Sequence, residues 1–218
     1  MSRSNRCHHP PRLAVTGGIG SGKSTALAFL RELGAATLSS DDVVHQVYTD
    51  AEVQGALARR FGDQVVRDGR VDREVLGRLV FGDAAALSWL EQFTHPRVRR
   101  IVEEWAARQE SQAESPALLA VEVPLLFESG AMLDVFDFVL AVTAPEALRR
   151  RRLAAKLTPA QFARRMERQM SEAEKAERSD FVYENGGSRQ HMKQFIAETY
   201  AAIIAAAAAE AEEEAPVR

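Results

Sequence analysis

The 218-residue chain holds a single cysteine, Cys7, so no internal disulfide closes and nothing points to an oxidising compartment. No stretch approaches 18 consecutive apolar residues, which excludes a membrane-spanning helix on sequence grounds. Neither sign of charge dominates. Lys and Arg total 28 against 31 Asp and Glu, a formal charge of −3, which argues against a chain that coats nucleic acid with positive charge. Aromatic residues are scarce at 7%, and the two tryptophans, Trp89 and Trp105, read as packing anchors rather than base-stacking platforms. The polar, basic segment Met1–Arg12 lacks the apolar centre of a signal peptide. These absences lead to the expectation of a reduced, cytoplasmic protein with no nucleic-acid or membrane partner; the sequence leaves the oligomeric state open, with a monomer favoured over an oligomer. What is present is ordinary globular composition, 46% hydrophobic and 27% charged, enough for one substantial domain carrying inserted pieces.

Leu13-Ala14-Val15 is a short apolar run that meets a glycine cluster at once. A helical pattern follows, with Leu27, Leu30 and Leu33 near one face and Gly34 as its stop, and then a second short strand at Ala36-Thr37-Leu38. This order opens an α/β unit with a parallel sheet. From Ala51 to Glu114 helix-period apolar positions recur, with Asp72 and Asp83 as N-caps and Pro96 at the start of a further helix. Continuous apolar runs return at Leu118–Val121 and Phe138–Val142, as expected of strands covered on both faces. Pro145–Arg178 reads as charged helix, Phe181-Val182-Tyr183 as a last strand, and the segment after Ser188 as a final helix running into an acidic end.

The strongest signal is Gly17-Gly18-Ile19-Gly20-Ser21-Gly22-Lys23-Ser24, a full G-x-x-x-x-G-K-[ST] pattern between a strand and a helix. Glycines let the backbone curl so that successive N–H groups face phosphate oxygens, and the following helix adds its positive end. Gly18, Gly20, Ser21, Gly22, Lys23, Ser24 and Thr25 are the expected nucleotide-binding residues. Lys23 reaches the β- and γ-phosphates, and Ser24 ligates Mg²⁺. No Asn-Lys-x-Asp or Leu-Ser-Gly-Gly-Gln segment is present, so a Ras-like GTPase or a transporter ATPase is not expected, and a small-molecule kinase using ATP is. After the second strand come Ser39-Ser40-Asp41-Asp42. Carboxylates there would either orient and deprotonate an acceptor hydroxyl or cap the next helix; the residues alone leave both open.

Taken together, Thr16–Thr25, Asp41, Thr94-His95-Pro96, Val123-Pro124-Leu125-Leu126-Phe127-Glu128, Arg165–Gln169, Ser179–Val182 and Asn185-x-Gly187 resemble the dephospho-coenzyme A kinase family from about Leu13 to Tyr200. The resemblance implies an α/β P-loop NTPase fold of nucleotide-kinase type, its parallel β-sheet core flanked by helices, with a helical substrate-binding insertion and a lid. It implies transfer of the ATP γ-phosphoryl group to the ribose 3′-hydroxyl of dephospho-CoA. Asp41 matches the family's catalytic base. His95, Pro124, Leu125, Leu126 and Phe127 match substrate-side positions, Asn185 the adenine-side loop, and Arg150 and Arg165 the lid. Arg150 matches the arginine that faces the phosphates. Two positions depart from the pattern: Ser39 stands where the family has a first acid, and Ala154 where it has a further lid arginine, with Arg151 and Arg152 nearby as substitutes for it.

Between Arg149 and Arg168 lie eight Lys or Arg residues and one acid, Glu167, which suits a lid closing over a triphosphate. Glu122, ending an apolar run, serves equally as a metal-side acid or as a local hydrogen-bond partner. Cys7-His8-His9 does not make a metal site, being three clustered ligands in a terminal extension. The expected division is an extension over 1–11, a kinase domain over 12–204 and an Ala/Glu-rich tail over 205–218. Within the domain, the core takes 12–50, 115–145 and 179–204, the acceptor subdomain 51–114 and the lid 146–178. The competing functions are a P-loop kinase for another small acceptor, such as a nucleotide or alcohol, and a non-catalytic nucleotide-sensing module.

Overall fold

A computed structural model of the chain describes residues 9–213; Cys7, His8 and the acidic end past Glu213 lie outside the described residues. In chain order the elements are β1 (Arg12–Thr16), α1 (Lys23–Glu32), β2 (Ala36–Ser39), α2 (Ser40–Val47), α3 (Ala51–Phe61), β3 (Val66–Arg67), β4 (Arg70–Val71), α4 (Arg73–Phe81) and α5 (Ala84–Glu110). There follow β5 (Leu119–Glu122), α6 (Leu126–Ser129), β6 (Phe138–Thr143), α7 (Glu146–Leu153), α8 (Pro159–Met166), α9 (Glu172–Glu177), β7 (Phe181–Glu184) and α10 (Arg189–Glu213). Two compact units result: one from the described residues up to Leu38 together with those from Ala106 on, the other over Ser39–Trp105.

The first unit is built on a five-stranded sheet of order β2-β5-β1-β6-β7. β1 lies parallel to β5, with Ala14 opposite Val121, and to β6, with Val15 opposite Leu140; β6 lies parallel to β7, with Val142 opposite Tyr183. A strand flanked by parallel neighbours and covered on both faces must be apolar throughout, and Leu13, Ala14 and Val15 are fully buried. Leu27 and Leu30 of α1 join Met192, Ile196 and Ile203 of α10 in one core with Leu13, Val15, Leu140 and Val142. Leu33 does not join them: it is the C-cap residue of α1 and is 38% exposed, because Gly34 at φ 93° turns the chain away toward β2. α10 continues through the alanine run to Glu213, so residues 205–213 of the expected tail are helical.

The second unit is helical around Val53, Leu57, Val65, Leu76, Val80 and Leu90. Asp72 accepts hydrogen bonds from Glu74 N and Val75 N, and Asp83 from Ala85 N and Ala86 N, so both act as N-caps. Trp89 stacks on Phe93 at 5.0 Å and meets Phe61 edge-on at 5.5 Å, the packing role expected of it. Two features differ from the sequence expectation. β3 and β4 pair antiparallel in a small hairpin turned by Asp68-Gly69, both at positive φ, within a stretch whose sequence pattern is helical. Pro96 does not open a helix but lies inside α5. Beside it, Thr94 Oγ1 donates to Leu90 O at 2.7 Å and Arg97 Nη1 to Phe93 O at 2.8 Å.

Candidate active site

The phosphate loop leaves the C-terminal end of β1, the central strand, where open parallel sheets hold ligands. Gly17 and Gly22 adopt φ of 139° and 114°. A Cβ at Gly17 would collide with the Val142 carbonyl, and one at Gly22 with the Asn185 amide, so neither position accepts a side chain. Lys23 is buried, and its Nζ donates to Gly17 O at 3.0 Å and Gly18 O at 3.1 Å, which holds the ammonium in the curl of the loop. Ser24 is exposed in the first turn of α1 and Thr25 half-buried beside it.

Beside the loop stands Asn185, one residue past β7 and buried. Its Nδ2 donates to Ser21 O at 2.6 Å, and its Oδ1 accepts from Gly187 N at 3.0 Å and from Arg152 Nη2 at 3.1 Å. A cleft of about 220 Å³ opens here, lined by Gly22, Thr25, Arg152, Asn185, Arg189 and Met192 among others. The Tyr183 hydroxyl donates to Ser188 O at 3.4 Å on the same loop. Burial pushes its phenol pKa up, against a smaller downward pull from the Arg152 charge.

The four consecutive arginines of α7 divide by helical phase. Residues three apart share a face and residues two apart lie about 200° around the axis. Arg152 Nη1 donates to Gly20 O and Ser21 O, each at 3.1 Å, so its guanidinium sits on the phosphate loop. Arg149, on the same face and 3% exposed, donates from Nε to Ala144 O at 2.9 Å and lies 4.0 Å from the Glu172 carboxylate. Both Arg149 and Glu172 lie so close to Gly18 that a side chain there would meet them. Arg150 points the other way: its Nε donates to Glu146 Oε1 at 2.7 Å and its guanidinium covers the Phe162 ring at 4.9 Å. Arg150, the arginine expected to face the phosphates, thus lies against Glu146 and Phe162, and Arg152 is the one that touches the loop. Arg165 is exposed on α8.

Of the expected acceptor residues, Pro124, Leu125 and Phe127 are half-buried at the end of β5, whereas Leu126 is fully buried and fills core. Asp41 and Asp42 are exposed in the first turn of α2; neither is its N-cap, which is Ser39. His95 is half-buried on α5. Asp41 and His95 belong to the second compact unit, and the phosphate loop, Asn185 and the arginines of α7 to the first.

Residues 12–191 match the family model described as dephospho-CoA kinase. The chain belongs to the dephospho-CoA kinase family. A dephospho-CoA kinase of Latilactobacillus sakei is 38% identical, over 83% of this chain and 90% of that one. Another, of Symbiobacterium thermophilum, is 40% identical over 81% of this chain and 74% of its own length. Among solved structures, a Thermus thermophilus protein superposes with TM-score 0.77 at 37% identity, covering 89% of this chain and 98% of that one. The dephospho-CoA kinase of Campylobacter jejuni follows at TM-score 0.66 and 26% identity, over 89% and 98%. A shikimate kinase of Acinetobacter baumannii, at TM-score 0.54 and 15% identity over 88% and 94%, shares the fold alone.

Within this family member, several contacts around the loop join residues far apart in the sequence. Gln169 Oε1 accepts from Ile19 N at 3.0 Å, and Glu172 Oε2 from Ala144 N at 3.1 Å. Lys175, fully buried, pairs with Glu128 Oε1 at 2.8 Å. The i, i+3 spacing of Arg149 and Arg152 was the one available clue, hidden inside a run of four identical residues.

Proposed function

We propose that this protein transfers the γ-phosphoryl group of ATP to the ribose 3′-hydroxyl of dephospho-CoA, giving CoA and ADP, the last step of coenzyme A biosynthesis. The observation that carries this reading is membership of the dephospho-CoA kinase family over residues 12–191, with a complete phosphate loop at the end of the central strand. In the reaction the 3′-oxygen forms a bond to the γ-phosphorus, the bond to the β–γ bridging oxygen breaks, and the hydroxyl proton leaves to a base.

Gly18, Gly20, Ser21, Gly22, Ser24 and Thr25, with the N-terminus of α1, bind the triphosphate, and Lys23 swings from its two loop carbonyls to the β- and γ-phosphates. Asn185 and Arg152 hold the base side. Arg152, and not Arg150, is the lid arginine that geometry favours for the phosphates, because it already rests on the loop. Asp41 takes the 3′-hydroxyl proton, in keeping with its exposed carboxylate two residues past β2. Leu125 and Phe127, with Pro124 and His95, contact the acceptor.

The residues fit Mg²⁺ as a partner of the nucleotide. Ser24 offers an exposed hydroxyl at the helix start, and among the described residues no group of three or more His, Cys, Asp or Glu forms a cage that would hold the ion without phosphate. Held by Ser24 and the nucleotide, Mg²⁺ would supply positive charge that offsets the charge of the phosphates. A cytoplasmic location is part of this reading and rests on the single cysteine. No helix among the described residues is long and apolar enough to cross a membrane.

A panel assay tests the reading: ADP release measured with ATP, Mg²⁺ and, in turn, dephospho-CoA, shikimate, nucleoside monophosphates or water. Dephospho-CoA is expected to stimulate turnover far above the others. Equal stimulation by another acceptor, or none by dephospho-CoA, refutes it.

A further inference from the structure

The segment from Gln169 to Lys175 ties together three parts of the first unit. Gln169 holds the Ile19 amide of the phosphate loop, Met170 N donates to Glu128 Oε1 at 2.8 Å, and Glu172 holds the Ala144 amide past β6. Lys175 closes the set. Its Nζ donates to Pro124 O at 3.1 Å and pairs with Glu128 Oε1 at 2.8 Å, so one ammonium spans both ends of the loop Pro124–Glu128. Pro124 O also lies 3.5 Å from Thr16 Oγ1, the residue that precedes the phosphate loop. A single carbonyl is thus shared by the end of β1 and by α9.

Such a pair is a poor way to gain stability. Lys175 is fully buried, the Glu128 side chain is 15% exposed, and Glu128 Oε2 is buried with no hydrogen-bond partner among the described residues. Desolvating two charges offsets most or all of their attraction, and well-packed apolar residues of similar size commonly serve as well or better. What the charges supply, and apolar side chains do not, is direction: an ammonium with two acceptors at fixed positions sets the path of the chain between them.

We propose that Lys175 and Glu128 are positioning residues for the acceptor. They fix the loop Pro124–Phe127 so that Leu125 and Phe127 present one binding surface, and they link that surface through Gln169 to the state of the phosphate loop. This rests on the acceptor role proposed above for Pro124–Phe127. Neither residue touches the reacting atoms; both act through the loop.

The test uses the full chain with Lys175→Met and with Glu128→Leu/Lys175→Met. Lys175→Met leaves a buried carboxylate unpaired and is expected to lower the Tm, whereas the double variant removes both charges and is expected to recover it. In the folded double variant, KM for dephospho-CoA is expected to rise about tenfold to a hundredfold while KM for ATP stays within about twofold. Hydrogen exchange is expected to quicken at the Ser129 and Gly130 amides, which donate to Leu125 O and Leu126 O, with β1 and β6 amides unchanged. A folded double variant with wild-type KM and wild-type exchange at those two amides overturns the proposal. Should the double variant not fold, Lys175→Gln, too short to span both acceptors, reads the same quantities, and wild-type values for both overturn it equally. Should the wild-type enzyme leave dephospho-CoA unphosphorylated, the functional reading fails, and the exchange comparison alone decides the positioning.

Discussion

At the scale of single residues, the phosphate loop was fully legible because everything it needs is local: glycines where Cβ atoms would collide, a lysine and a hydroxyl at the helix start. The arginines of α7 were not. Four identical residues in a row carry no phase, and only the backbone separates Arg149 and Arg152 from Arg150. Replacing Arg152 by Ala removes hydrogen bonds from a charged group to Gly20 O, Ser21 O and Asn185, and is expected to raise KM for ATP about tenfold or more. Arg150→Ala, which loses an exposed pair with Glu146, is expected to stay within about twofold; steady-state kinetics of the two variants checks the difference. Asp41→Asn addresses the chemical step. Its kcat is expected to fall about 10²- to 10⁴-fold with the Kd for ATP nearly unchanged, and a kcat near wild type removes Asp41 from its role.

At the scale of elements, the strands were legible because both-face burial demands unbroken apolar runs, and each such run became β1, β5 or β6. The sequence expectation failed where a local signal was outweighed by its surroundings. Pro96 normally ends or opens a helix, yet α5 passes through it from Ala84 to Glu110. Pro96→Ala restores an intrahelical N–H, and at about 1 to 3 kcal/mol it is expected to raise Tm by several degrees in thermal melts. The β3–β4 hairpin went unread although Asp68-Gly69 is a known turn pair, because its two-residue strands carry no alternating pattern. The strap Gln169–Lys175 was hidden for a different reason: its partners Ile19, Glu128, Pro124 and Ala144 are distant in sequence, and no local period marks them.

At the scale of the whole molecule, the near-zero net charge conceals a strong internal division. The run Arg149–Arg168 holds eight cations against one acid, while Glu198–Arg218 holds five acids against one cation. The cationic stretch includes α7, whose Arg152 lies on the phosphate loop, whereas Glu198, Glu210, Glu212 and Glu213 belong to α10. A triphosphate bound at that loop stabilises the folded protein by mass action. With ATP at about a hundred times its Kd, the gain of about 2.7 kcal/mol corresponds to a Tm rise of about 5 to 10 °C, and Lys23→Met is expected to abolish most of it.

The most direct measurement is the identity of the phosphorylated product. Wild-type protein incubated with ATP, Mg²⁺ and dephospho-CoA is followed by ³¹P NMR. A new monoester resonance on the ribose 3′-oxygen should appear in step with ADP, and CoA should be the sole phosphorylated acceptor. ADP formed without that resonance, or phosphate carried to water or to another position, contradicts the assignment.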